Sequence, residues 1–337
     1  MSQGRRRILV IPLLAMSVMA VFWASLNLGS VPSTAGEVWR ILWSQGEPGS
    51  LTFIVQSIRL PRALAALGGG AMLAVSGLLL QVYFRNPIVG PFVLGISSGA
   101  TLMVSLVMLT SVAVGMVGVM PYLTPVAAFL GALGAMSLVM SIAARVKQGV
   151  TLLIAGIMIG YLSSAVTSLL ITFAEAERIK GFNLWQLGSF SGYTWNELAV
   201  MMSAGSVLLV IVYGLSKQLN AFLLGENYAA TMGVHTRRFR LALIFTSCGL
   251  SALVTATAGP VAFVGLAVPH MARLAMGTSD NKLLIPATAL IGGLVCGFCD
   301  IVARLLFAPV EAPLSAITSF FGAPVVIMLL LKRRAAR

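Results

Sequence analysis

Apolar runs long enough to cross a bilayer recur along this chain from Ile8 almost to its end, and they leave few other folds open. A helix needs about 20 apolar residues to span the hydrocarbon core. Ten such stretches can be placed, at 8–28, 61–83, 92–114, 121–144, 150–173, 196–215, 239–258, 261–277, 282–306 and 312–331. Charged residues make up only 9% of the chain, against roughly a quarter in a soluble domain. Such a chain cannot cover itself with a water-compatible surface. The expectation is an all-α, multi-pass membrane protein in which residues 1–337 form a single transmembrane domain. Its longer loops fall at 29–58, 174–195 and 216–238.

The first run follows Arg5, Arg6 and Arg7 and extends over 21 residues, Ile8 to Leu28. A cleavable signal has an apolar core of about 7–15 residues and a small-residue cleavage site. Asn27-Leu28-Gly29-Ser30 is a poor one, so the run is expected to stay as the first span.

Basic residues accumulate on the cytoplasmic side of membrane proteins. With an internal amino terminus and ten spans, 16 of the 22 Lys and Arg residues fall inside. Only Arg40, Arg59, Arg62, Arg178, Lys180 and Arg304 fall outside, while just Glu226 and Asp280 of the nine acids fall inside. Both termini are therefore expected in the cytoplasm. The net charge of +13 is spread over many loops, which argues for topology and against nucleic-acid binding.

No catalytic apparatus stands out. Cys248, Cys296 and Cys299 all fall within predicted spans. Cys296 and Cys299 form C-x-x-C, but no second pair lies nearby to complete the four ligands of structural zinc. His235 and His270 stand apart, and there is neither a G-x-S-x-G nor a phosphate-binding G-x-x-x-x-G-K-[ST] loop. No catalytic or metal site and no cofactor of its own is expected.

Four segments carry the functional reading. Arg59-Leu60-Pro61-Arg62 precedes the second span. Its arginines, three apart, are expected on one helix face, pointing out on the external side. Snorkelling to lipid phosphate is the alternative. Arg304, external as well, follows Asp300 by four residues, and a local helix ion pair is its alternative reading. Next, Arg85-Asn86-Pro87-Ile88-Val89-Gly90-Pro91 and the Gly- and Ser-rich stretch after it interrupt a helix at membrane depth. Irregular backbone there must be buried in protein or line a cavity; a tight helix contact also accounts for it.

The third segment is the loop 220–234. Glu226 suits a helix start and Gly233 a helix end. Ala229, Ala230 and Met232 make a slim, partly apolar helix that needs a partner to bury it, or else rests on lipid. The fourth, Gly259-Pro260-Val261-Ala262-Phe263-Val264-Gly265, echoes Gly90-Pro91-Phe92-Val93-Leu94-Gly95 at the opposite membrane face, as an inverted repeat would.

These segments resemble the FecCD-type permeases of bacterial ABC importers, which carry ferric siderophores, haem and cobalamin. The resemblance runs from about 57 to 331. It rests on Arg59–Arg62, R-N-P at 85–87, L-G-I-S-S-G-A at 94–100 and L-G-x-x-x-A-x-x-M-G at 224–233, with V-P-H at 268–270, D-I-V-A-R at 300–304 and F-G-A-P at 321–324. One departure is Gly90, where the family usually carries Asp.

The resemblance implies ten helices in the type II importer permease fold, in the bacterial inner membrane. It implies a second permease copy, most simply a homodimer, and two cytoplasmic ATPase subunits that bind ATP-Mg and dock on Leu224, Gly225, Glu226, Ala229, Met232 and Gly233. A periplasmic binding protein would dock on Arg59, Arg62 and Arg304, and a cytoplasmic gate would lie at Gly149 and Val150.

Two other classes fit less well. A secondary transporter usually needs an intramembrane carboxylate or histidine, and the acids nearest helix interiors, Asp300 and Glu197, fall toward external ends. A membrane enzyme or scaffold lacks an acid–base pair. For the cargo, Gly188-Ser189 after Trp185 resembles the siderophore branch more than the cobalamin branch. No external histidine offers itself to haem iron, and haem and cobalamin stay as alternatives.

Overall fold

The computed structural model describes residues 3–43, 49–87, 89–110, 120–145, 149–308 and 310–335. Residues 111–114 of the third predicted span, Ile88 of the irregular segment, and the basic residues Lys147 and Arg337 lie outside them. Among the described residues the chain is helical and has no strand. Helices occupy all ten predicted stretches: α1 (Gln3–Asn27), α4 (Leu60–Tyr83), α5 (Ile96–Leu109), α6 (Met120–Arg145), α7 (Gly149–Phe173), α9 (Trp195–Gly214), α12 (Thr236–Ala258), α13 (Val264–Met276), α14 (Asn281–Leu305) and α15 (Leu314–Ala335). Seven are long and apolar enough to cross a membrane, while α5 and the apolar part of α15 are shorter.

The predicted loops hold helices too: α2 (Ala35–Trp43), α3 (Ser50–Phe53), α8 (Ala176–Gln186), α10 (Ser216–Leu224) and α11 (Glu226–Thr231). The second span also starts earlier than its proline suggests. Helix runs unbroken from Ser50 to Tyr83, through a π-helical stretch at Ile54–Arg59. Pro61 has no N–H for the Ser57 carbonyl, and a wider turn just before a proline accommodates that loss.

Helix α4 is the centre of the bundle, whereas α1, α7 and α9 show most of their surface. It can be central because its neighbours come very close. A Cβ on Gly70 would run into the backbone of Gly292 in α14, and one on Gly77 into that of Gly265 in α13. In lipid, where apolar burial no longer distinguishes protein from solvent, such small-residue crossings supply the packing. Polar side chains add to it: Ser76 of α4 and Ser247 of α12 each donate to the other's backbone carbonyl, at 2.7 and 3.0 Å.

Two apolar cores result. One joins α4, α9 and α12–α15 around Leu78, Phe190, Leu250 and Val268. The other joins α5, α6 and α7 to the opposite side of α12, around Ile96, Ala132, Leu152 and Cys248. A smaller cluster seats α2 against the end of α1 and the π-helical stretch.

The spans define two ends. Helix α1 finishes beside Arg59 and Arg304, and α15 starts at that same end, where Ser315 donates to the Pro260 carbonyl. The chain's first and last spans therefore both run to the other end, which also carries the loop 220–234.

Candidate functional site

At the first end a buried ion cluster joins α1, α4 and α14. The Nε and Nη2 atoms of Arg62 both donate to Asp300 Oδ1, at 3.0 and 2.9 Å. Its outer edge meets Glu311, with Nη1 2.6 Å from Oε1 and Nη2 3.0 Å from Oε2. Arg304 approaches Asp300 Oδ2 at 3.2 Å and donates to the Ser25 hydroxyl at 2.6 Å. Asp300, 1% exposed, is thus the shared counterion of two arginines.

Arg59 takes another route. It caps the carboxyl end of α1 by donating to the Leu26 carbonyl at 2.8 Å, to Ser33 Oγ at 2.8 Å and to the Val31 carbonyl. A cation there meets the negative end of the helix dipole and otherwise unpaired carbonyls.

This geometry corrects two expectations. Arg59 and Arg62 do not share a face: the first turns to α1 and the second to α14. Nor do the arginines present their charge outward, since Arg59 and Arg62 are 4% and 5% exposed and the Arg304 side chain is nearly as buried. The local Asp300–Arg304 pair does form. Glu311, with 40% of its side chain exposed, is the cluster member that sequence reasoning passed over. The charge count offered a signal, because acids leaned to the same side as these displaced arginines.

At the other end, α11 is held in place by its own termini. It starts at Glu226 and closes with a Schellman arrangement in which the Val234 N–H donates to the Ala229 carbonyl and the Gly233 N–H to that of Ala230, both at 3.0 Å. Gly233 has φ +83°, which the motif requires of its residue after the cap. Gly225 has φ +132° and lies against the guanidinium of Arg85, in the R-N-P segment at the end of α4. Glu226 pairs with Arg240 of α12 at 2.7 Å. Ala229, one of the expected docking residues, is fully buried. The apolar surface comes instead from Leu223, Leu224, Tyr228 and Met232.

A cavity of about 240 Å³ gathers these pieces, with Arg85, Asn86, Val150, Phe222 and Glu226 among its lining. The expected gate residue Val150 therefore lies in the same space as the start of α11. Gly149 opens α7 beside it. The R-N-P segment is further tied to α13. The His270 ring nitrogen Nε2 lies 3.2 Å from the Pro87 carbonyl. Arg273 donates to Gln81 Oε1 at 2.8 Å, and Gln81 in turn donates to the Leu266 carbonyl at 3.0 Å.

The echoed Gly-Pro segments also share a conformation. Each leads through a residue in the left-handed region, Gly95 or Phe263, into a short helix. Among the described residues no cluster of His, Cys, Asp or Glu could hold a metal ion, and all three cysteines are buried.

Apolar helices of spanning length around a glycine-packed centre mark a multi-pass membrane protein. The chain matches the FecCD transport family over residues 17–332, and it belongs to that family of ABC importer permeases. It is 35% identical to the hemin transport system permease protein HmuU of Yersinia pestis, across 97% of this chain and 98% of that one. It is 34% identical to the vitamin B12 import system permease protein BtuC of Shigella boydii, across 96% and 95%. A solved structure of an inward-facing ABC transporter, assigned to the metal-chelate type, superposes with a TM-score of 0.83 at 30% identity, across 96% of this chain and 99% of that one.

Proposed function

We propose that this chain is the membrane-spanning subunit of an ATP-driven importer in the bacterial inner membrane, carrying a ferric siderophore or similar iron chelate from periplasm to cytoplasm. The observation that carries the reading is α11 and its approach. Leu223, Leu224, Tyr228 and Met232 form an exposed apolar surface, while Glu226 and Gly225 tie it to α12 and to the end of α4. An exposed apolar patch marks a partner, and here the partner is a pair of ATPase subunits that bind ATP-Mg. The permease itself needs no cofactor.

Ten helices with both termini cytoplasmic fit the shared end of α1, α15 and α11. The exposed faces of α7 and α15 suit a second copy of the chain, with the pathway between copies and Gly149 and Val150 at its cytoplasmic gate. At the periplasmic end the Arg59, Arg62 and Arg304 cluster takes the binding protein, through carboxylates that exchange with Glu311.

Haem or cobalamin is the second reading, favoured by the relatives HmuU and BtuC. Uptake into cells relying on this permease and its neighbouring ATPase and binding protein, measured with a labelled ferric siderophore, haem and cobalamin in parallel, decides among them. Uptake of haem or cobalamin alone overturns the siderophore reading. Uptake that survives loss of the ATPase overturns the importer itself.

A further inference from the structure

We propose that the cavity between the last turn of α6, α11 and the first turn of α12 holds the phosphate headgroup of an anionic phospholipid. This inference rests on the cytoplasmic placement of this end proposed above, and not on the cargo. The cavity measures about 540 Å³ and is lined by Ala143, Arg145, Glu226, Asn227, Arg237 and Arg240, among others. Three guanidinium groups face one carboxylate there.

Arg240 is 8% exposed and fixed in the wall, donating to Glu226 at 2.7 Å and to the Ala143 carbonyl at 3.4 Å. Arg145 and Arg237 are exposed, and neither has a carboxylate partner among the described residues. Two uncompensated positive charges therefore flank a buried third. Helix α12 begins in the same wall without a side-chain cap, so the positive end of its dipole adds to them.

Depth favours a lipid over a soluble anion. Arg145 is the last residue of one candidate span, and Thr236 the first of another. The cavity thus lies where apolar helices leave the hydrocarbon core, at the level of headgroup phosphates. Basic pockets between helix ends on the cytoplasmic side bind anionic headgroups. An acyl chain also has a place to lie. Val126, Leu130, Gly134 and Leu138 recur every fourth residue on the exposed side of α6, in a row that leads toward Arg145. A Cβ at Gly134 would meet nothing within 4 Å, which leaves a shallow apolar trough.

The test is lipid retention by the purified full-length chain, measured by native mass spectrometry against phosphatidylglycerol, phosphatidylcholine and inorganic phosphate. Phosphatidylglycerol should be retained in preference to phosphatidylcholine. The Arg145→Gln/Arg237→Gln double variant should lose about fivefold in retention per arginine, or about 25-fold in all. Arg238→Gln, at the same depth but lining a different cavity, should retain lipid as the parent does. An equal loss in Arg238→Gln, or none in the double variant, would reduce the effect to diffuse surface charge and overturn the site. Displacement of the lipid by inorganic phosphate at equal concentration would overturn the lipid assignment in favour of a soluble anion.

Discussion

If the binding protein docks on the Arg62 cluster as proposed, it meets an unusual demand, and Glu311→Gln tests it. Arg62 offers two edges. The inner edge is committed to Asp300, and the outer edge is held by Glu311 at 2.6 and 3.0 Å. A carboxylate arriving from a binding protein must displace Glu311, which is the only half-exposed member of the pair. Half-exposed ion pairs of this kind contribute about 0.2–1 kcal/mol once solvent screening is counted. Removing the carboxylate also changes the local charge from three cations against two anions to three against one, from +1 to +2.

Both effects act in one direction. Glu311→Gln is expected to raise capture of the cognate binding protein about two- to fivefold, mainly through a faster association rate that salt suppresses. The assay is association kinetics on the purified transporter at low and high salt. Unchanged or slower capture would show that Arg62 serves the bundle alone. Reversing Arg59 and Arg62 to Glu is a poorer test. It would set a third carboxylate against Asp300 and strip the cap from α1, and breaking a buried pair costs about 3–5 kcal/mol. Lost capture would then not be separable from lost fold.

Three further outcomes are expected. Gly225→Val should insert normally yet lose coupling between ATP hydrolysis and uptake, because φ +132° excludes a branched side chain and Arg85 occupies the space; parental uptake rates in this variant would reject the role given to α11. Cysteines introduced at Glu311 and Tyr228, in a background lacking Cys248, Cys296 and Cys299, should react with an impermeant thiol reagent only from the periplasmic and only from the cytoplasmic side, respectively, and the reverse pattern would invert the topology. Glu37 has its pKa lowered by the backbone and side-chain hydrogen bonds from Thr34, so its contribution to the start of α2 is present above the ordinary carboxylate range and fades as pH falls through that lowered value; protection factors for the first turn of α2 that stay flat over this range would refute it.

The spans were legible because each is an apolar run longer than any turn, and α11 was legible because Glu226 and Gly233 mark its ends. What escaped was the destination of particular side chains. Placing Arg59 and Arg62 on one face rested on their spacing, yet two long side chains a turn apart reach different neighbours, Arg59 the end of α1 and Arg62 Asp300 of α14. Ala229 was counted among the docking residues from its place on a loop, and nothing in a six-residue helix says which side lies on the bundle. Helix α2 did have a signal: Thr34 and Glu37 form a reciprocal cap, as Thr194 and Glu197 do for α9. Such a pattern names a helix start even inside a stretch that reads as loop. Arg240 had no signal, since only the fold brings it to Glu226.

That last contact bears on how a motor at one end could move the whole bundle. Helix α12 contributes buried residues to both cores, as α4 does through Leu79 and Leu80: Leu243, Leu250 and Val254 face α4 and its neighbours, and Ile244, Cys248 and Ala252 face α5 and α6. Its first turn carries Arg240, and Arg240 holds Glu226. A displacement of α11 is therefore applied to the wall shared by the two cores, not to either alone. A second route runs from Gly225 through Arg85 to the R-N-P segment, then through Pro87 and Gln81 to α13. Around α4 there is no slack to absorb such a push, because its glycines already meet the backbones of α13 and α14. The far end is locked by Asp300 between two arginines. Close packing makes the α4–α13–α14 group move as a body, so the compliance must lie elsewhere. The least buried spans are α1, α7 and α9, and of these only α7 starts at the cavity where Arg85 and Glu226 meet. A displacement of α11 is therefore expected to pass into α7, the helix whose first residues were expected to form the gate.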